Sequence, residues 1–186
     1  HWDNRIIYSN IKINGENTDS WTSFLPNNYW DVEGSYGPIN ALTRLRNEVY
    51  SLQDRGFARI LINPVAMTNT GDGLPVVLGT GLTIQRHQYI GIDAGSKHQW
   101  SVTSSPNSIL FLDAQKARVY LYNGSQLTAI TDSCNWTFLN KELVYGIVQN
   151  DNPLLDKGII TTFDQENSEY LITFLNTNTR PEYSKK

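Results

Sequence analysis

Leu110-Phe-Leu-Asp113-Ala-Gln-Lys-Ala-Arg-Val119-Tyr-Leu-Tyr-Asn123 decides the fold. An apolar stretch ends in an Asp, about four polar or small residues follow, and an alternating apolar stretch resumes, which is the pattern of a β-hairpin. An Asp suits that position because its carboxylate can accept a hydrogen bond from the backbone N–H two residues on and so start the turn. The pattern occurs twice more, as Tyr50-Ser-Leu-Gln-Asp54-Arg-Gly-Phe-Ala-Arg-Ile60-Leu-Ile-Asn63 and as Thr161-Thr-Phe-Asp164-Gln-Glu-Asn-Ser-Glu-Tyr170-Leu-Ile-Thr-Phe174. Asp54, Asp113 and Asp164 are the predicted hairpin-turn residues. They lie roughly 50 to 60 residues apart, a blade-sized period of the kind seen in propellers. The expectation is an all-β chain of antiparallel, blade-like units, a partial β-propeller or a propeller-like module.

Around these hairpins the same reasoning places strands at Arg5–Ile13, Ile39–Arg46, Val49–Asp54 and Phe57–Ile62. His98–Thr103, Ser108–Asp113, Arg118–Asn123 and Gln126–Ile130 then read as four strands of one full antiparallel unit, and Ile159–Phe163 with Glu169–Leu175 as the last hairpin. Residues 38–63 are ambiguous, because Ile39, Leu42, Leu45, Val49 and Leu52 also recur at helical spacing; strands are preferred because the hairpin pattern returns downstream. Glu16 to Ser35 reads as an irregular loop carrying Trp21 and Trp30. Residues 64–83 differ in kind. The apolar run Leu74, Pro75, Val76, Val77, Leu78 lies between Gly-rich hinges, which suits either a local strand or an extended assembly arm that adds to a neighbour.

The 186 residues form one β module, 1–186, with a formal net charge of −3 from 15 Lys and Arg against 18 Asp and Glu. That balance offers no basic surplus for gripping nucleic acid. A single Cys, Cys134, excludes an internal disulfide. No apolar run is long enough to span a membrane as a helix. The chain starts at His1 and its one Met is Met67, which suits a trimmed sequence or a piece of a longer chain.

Chemistry-bearing patterns are weak. His87, Asp93, Ser96 and His98 supply the residue types of a nucleophilic triad, but no nucleophile elbow surrounds Ser96. Asp72, Asp93 and Asp113 lack calcium-loop spacing, two His beyond His1 and one Cys are too few for zinc, and Gly79-Thr-Gly81 lacks the third Gly of a dinucleotide fingerprint. The chain is therefore read as a non-enzyme without a cofactor. A hydrolase on a propeller scaffold would need a cluster of carboxylates at one end of the blades. A carbohydrate-binding module recognising a bacterial surface glycan is the alternative, and it requires several of Trp2, Trp21, Trp30, Trp100 and Trp136 to line one groove.

Several phrases carry a resemblance: Tyr29-Trp-Asp-Val-Glu-Gly-Ser-Tyr-Gly-Pro-Ile-Asn40, Leu45-Arg-Asn-Glu-Val-Tyr-Ser-Leu-Gln-Asp-Arg-Gly-Phe57, Ile62-Asn-Pro64, Gly73-Leu-Pro-Val-Val-Leu-Gly-Thr-Gly81 and Gly95-Ser-Lys-His-Gln-Trp100. Between about residues 20 and 175 the chain resembles the tail stabilisation or muzzle proteins of crAss-like gut bacteriophages. More distantly it is similar to the tail nozzle proteins of short-tailed phages, which contain β-propellers. The resemblance implies a fragment of a longer virion protein with a structural role in the phage tail. Copies of the chain, with other virion tail proteins, would form a ring that continues the portal and guides the genome outward, DNA being only passing cargo. No catalytic residue comes with it. Blades of roughly 50 residues leave 186 too few to close a propeller of four or more, so further chain or a symmetric partner would have to complete one.

Overall fold

A computed structural model describes residues 2–10, 19–62, 66–69, 75–78, 83–133, 137 and 158–174. They form an all-β array of antiparallel sheets stacked face to face. Strand β1 (Arg5–Ile7) pairs with β2 (Tyr29–Asp31). Strands β3 (Ile39–Leu45), β4 (Glu48–Gln53) and β5 (Gly56–Ile62) form a meander that β8 (Ile84–Ile92) completes, in the order β3-β4-β5-β8. Between β5 and β8, β6 (Ala66–Asn69) and β7 (Pro75–Leu78) make a two-stranded sheet of their own. Strands β9 (Val102–Ser104), β10 (Ile109–Asp113), β11 (Arg118–Tyr122) and β12 (Leu127–Ala129) form the second four-stranded meander, and β13 (Ile159–Asp164) pairs with β14 (Glu169–Phe174).

The alternation along each strand explains the stacking, since successive side chains point to opposite faces. In the first four-stranded sheet Leu45, Tyr50, Leu52 and Phe57 face the second; from the second, Ile109, Phe111, Tyr120 and Tyr122 face back, and together they form the central buried cluster. Its rings interlock: Phe57 lies 5.3 Å from Phe111 and 5.2 Å from Tyr122, and Tyr50 lies 5.4 Å from Tyr122, centroid to centroid. Such aromatic pairs add about 0.5–1.5 kcal/mol each beyond area burial. On its other face the first sheet packs Ile60 and Ile84 against Ile6 and Val32 of the β1–β2 layer. On its other face the second sheet packs Leu112, Ala117 and Val119 against Ile159, with Tyr170 and Ile172 alongside. The order along the stack is therefore the order along the chain.

The first strands of successive units also lie side by side, β3 beside β9 and β9 beside β13. The described sheets do not close a ring, so a propeller is not formed by these residues alone.

Several local expectations change. Tyr29–Asp31 is a strand rather than loop, held by Trp30, whose Nε1 donates to His87 Nδ1 at 3.0 Å. Gln99–Ser101 is a 3-10 turn rather than the start of a strand, because Ser101 donates to His98 O through both its backbone N–H (3.1 Å) and its hydroxyl (2.8 Å). Such local side-chain bonds compete with a sheet ladder. In the first copy of the repeated pattern the turn is shorter than in the other two. Strand β5 resumes at Gly56, two residues after Asp54, whereas residues 114–117 and 165–168 separate the strands in the later copies. Cys134, Trp136, Leu74 and the stretch 139–157 lie outside the described residues.

Candidate interaction surfaces

At one end of the sheets the β4–β5 turn is clamped by buried polar groups. Gln53, 0% exposed, donates from Nε2 to the carbonyls of Glu33 (2.9 Å) and Gly37 (2.6 Å), and its Oε1 accepts from Tyr89 Oη at 2.6 Å. Burial pushes the Tyr89 phenol up to about 12. Asn40 Nδ2 donates to Asp54 Oδ1 (2.7 Å) and to Ser96 O (2.8 Å), while Arg55 N–H donates to Tyr36 O at 3.1 Å. Two glycines let the loops approach this closely. A Cβ on Gly95 would sit 2.2 Å from Gln53 O, and Gly37, at φ +91°, would place one 2.9 Å from Asp54 Cβ.

Asp113 lies in the corresponding turn of the second sheet. Its Oδ1 accepts from the N–H groups of Gln115 (3.0 Å) and Lys116 (3.1 Å), and the turn ends with Ala117 at φ +52°. Burial raises the Asp113 carboxyl above its ordinary value, and these backbone bonds oppose the rise only in part. Asp164 repeats the geometry in the open: its Oδ1 accepts from Glu166 N–H at 2.9 Å, Ser168 takes φ +56°, and the Asn167 side chain holds the carboxyl below the usual range. Asp54 differs, its carboxylate being taken up by Asn40. A cleft of about 420 Å³ between the first two turns is lined by Gly34, Ser35, Gly37, Asp54, Arg55, Lys97 and Gln115. Of its charged groups, Asp54 is engaged by Asn40 and Arg55 by Ser35 O at 2.7 Å.

The triad residue types do not converge on chemistry. Ser96 Oγ lies 2.5 Å from Ser101 Oγ and 3.2 Å from His98 O, so its hydroxyl is held by backbone and a second serine rather than by an imidazole. His87 is spent on Trp30. Among the described residues no cluster of His, Cys, Asp and Glu could hold a metal ion, and no helix is long and apolar enough to cross a membrane.

The exposed aromatics sit apart. Trp2 stacks on Arg5, whose guanidinium also lies 3.7 Å from the Tyr29 ring centre and forms a two-point ion pair with Asp31 (2.7 and 2.8 Å) on the outer face of β1–β2. Exposed Trp100 lies in the turn before β9, where its carbonyl accepts from Thr161 of β13 at 3.3 Å. Sequence reasoning missed Gln53, since a buried Gln has no signature in a strand. It also missed the exposure of Leu42 and Ile160, which read like any other apolar strand residues.

The comparisons with known proteins fit such a surface-built module. The family model described as Crassvirus muzzle protein matches residues 1–184. The chain is also 27% identical over 174 residues to the muzzle protein of Bacteroides phage crAss001, covering 94% of this chain and 12% of that relative's length. With the family match running nearly end to end, the chain belongs to the Crassvirus muzzle protein family and is a component of the phage virion.

Proposed function

We propose that this chain is a building module of the muzzle of a crAss-like phage tail, set with further copies and with other tail proteins around the conduit through which the genome leaves. The observation that carries the reading is the family match over residues 1–184, falling on a stack of antiparallel sheets whose polar groups are spent on one another. A net charge of −3 supports a wall that DNA slides past, because affinity for phosphate needs a surplus of Lys and Arg. The β6–β7 hairpin supports an assembly arm. It pairs only with itself among the described residues, and an isolated two-stranded hairpin is marginal in water, so Pro75 to Leu78 gain from docking on a neighbour. The reading predicts no catalytic turnover.

Immunogold electron microscopy of intact virions, with an antibody raised against this chain, tests the reading. Label at the tail is the expected result. Label confined to the capsid would overturn it.

A further inference from the structure

The cleft between the β4–β5 and β10–β11 turns reverses the charge of the chain around it. Two cations, Arg55 and Lys97, line it against one carboxylate, Asp54, although the whole chain carries −3. Asp54 already accepts from Asn40 at 2.7 Å. Arg55 uses Nη2 on Ser35 O, and the rest of its exposed guanidinium fork keeps N–H donors to give. Lys97 is half-buried, and among the described residues no hydrogen bond or ion pair takes up its ammonium. Exposed Gln115 adds an amide to the lining. The walls are fixed before anything enters. Gln53 holds the 33–37 loop by the carbonyls of Glu33 and Gly37, and Asn40 ties Asp54 to Ser96 O. Ser96 N–H donates to Gln53 O at 3.0 Å, and Asp113 holds the Gln115 N–H at 3.0 Å. A site held this way loses little freedom when it is filled.

We propose that this cleft is an anchor site for the carboxylate of an acidic side chain presented by another polypeptide. Charge selects the group. Two cations against one carboxylate leave a single positive surplus, which matches a singly charged carboxylate, whereas Asp54 opposes the second charge of a phosphate dianion. Geometry agrees, because a guanidinium fork matches a carboxylate and Lys97 supplies a point charge beside it. The lining selects the source. Pockets for free small molecules are mostly apolar, but this one is walled by Gly34, Ser35, Gly37 and polar or charged side-chain ends. It offers no surface on which a free acid could bury its carbon skeleton. A side chain delivered by its own backbone needs none. The site goes beyond the virion role and does not depend on it.

Amide NMR titration of the isotope-labelled chain at neutral pH and constant ionic strength provides the test. The probes are N-acetylglutamate methylamide, its neutral glutamine counterpart and inorganic phosphate. The glutamate probe should shift the amides of Gly34, Ser35, Arg55, Lys97 and Gln115 to saturation, and the glutamine probe should leave them in place. Lys97→Gln should weaken the glutamate probe about tenfold, the loss of one charge-assisted contact. Lys97→Arg should keep most of the affinity. Lys97 has no partner within the described residues to lose, so circular dichroism of both variants should match the unaltered chain. Equal shifts from the glutamine probe, tighter binding of phosphate at the same amides, unchanged affinity in Lys97→Gln, or an equal loss in Lys97→Arg would each overturn the proposal. Tail labelling by immunogold is untouched by all of these results, so the two readings fail separately.

Discussion

Asp113 offers the sharpest test of how the repeated turns are held. Its side chain is 3% exposed, and one oxygen accepts two backbone N–H groups at 3.0 and 3.1 Å. Asp113→Ala strips both amides of their acceptor. At about 0.5–1.5 kcal/mol net for each hydrogen bond, the loss should be about 2 kcal/mol. In a chain of this size, at roughly 2–4 °C per kcal/mol, the melting midpoint should fall by roughly 4–8 °C. Asp113→Asn keeps a carbonyl oxygen in the same place and removes the buried charge, so it should cost less than half as much. Thermal unfolding followed by tryptophan fluorescence at neutral pH measures both. Equal losses for Ala and Asn would refute the reasoning, because the acceptor would then contribute nothing.

The pH dependence of the same pair adds an independent sign. Burial raises the Asp113 carboxyl in the folded state above its ordinary 3.8, so the folded chain holds this proton more tightly than the unfolded chain. The stability it contributes is therefore complete below pH 3.8 and is lost as pH rises through the raised folded value. Relative to the unaltered chain, Asp113→Asn should gain stability as pH rises across that window. A relative loss instead would mean that the backbone bonds from Lys116, Gln115 and Gly95 outweigh burial.

Three further changes probe other parts of the stack. Phe57→Ala removes a fully buried ring that contacts Tyr50, Phe111 and Tyr122, and urea unfolding should show a loss of about 3–5 kcal/mol. Gly95→Ala drives a Cβ into Gln53 O at 2.2 Å and Arg55 N at 2.8 Å; backbone cannot yield as a side-chain end does, so urea unfolding should show a loss of about 3 kcal/mol, and unchanged stability would show that the two loops are not clamped there. Deleting residues 72–80 removes β7, and on the arm reading the purified chain should keep its circular dichroism while incorporation into tails, read by immunoblotting of virions, is lost.

How much of this was legible in the sequence depends on how far each signal reached. Strands of five to seven residues announce themselves by composition between turn signals, Ile109–Asp113 as a continuous apolar run and Arg118–Tyr122 as an apolar stretch after the turn. The helical spacing across residues 38–63 was a coincidence of two faces. Leu45 and Leu52 enter the central cluster, Ile39 and Val49 pack toward β1–β2, and Leu42 is left exposed. Tyr29–Asp31 was invisible because three residues cannot establish a period, and its placement rests on long-range partners: pairing with β1, the Arg5–Asp31 ion pair and the bond from Trp30 to His87. The Gln99–Ser101 turn was decided by hydroxyls, which a pattern of apolar residues does not weigh. Gln53 looked like a polar end to a strand, yet it holds Glu33, Gly37 and Tyr89 at once.

The same limit explains why function was less legible than fold. A catalytic site concentrates unusual residue types at fixed spacing, and that concentration can be read without coordinates. A stack of sheets assembles through faces, and a face at the end of a stack is made of the same residues as a face inside it. Ile160 and Leu42 would be core residues if one more layer lay over each, just as Ile159 and Leu45 are now. Only the order of the layers distinguishes an interior apolar position from a terminal one, and that order is a property of the whole fold.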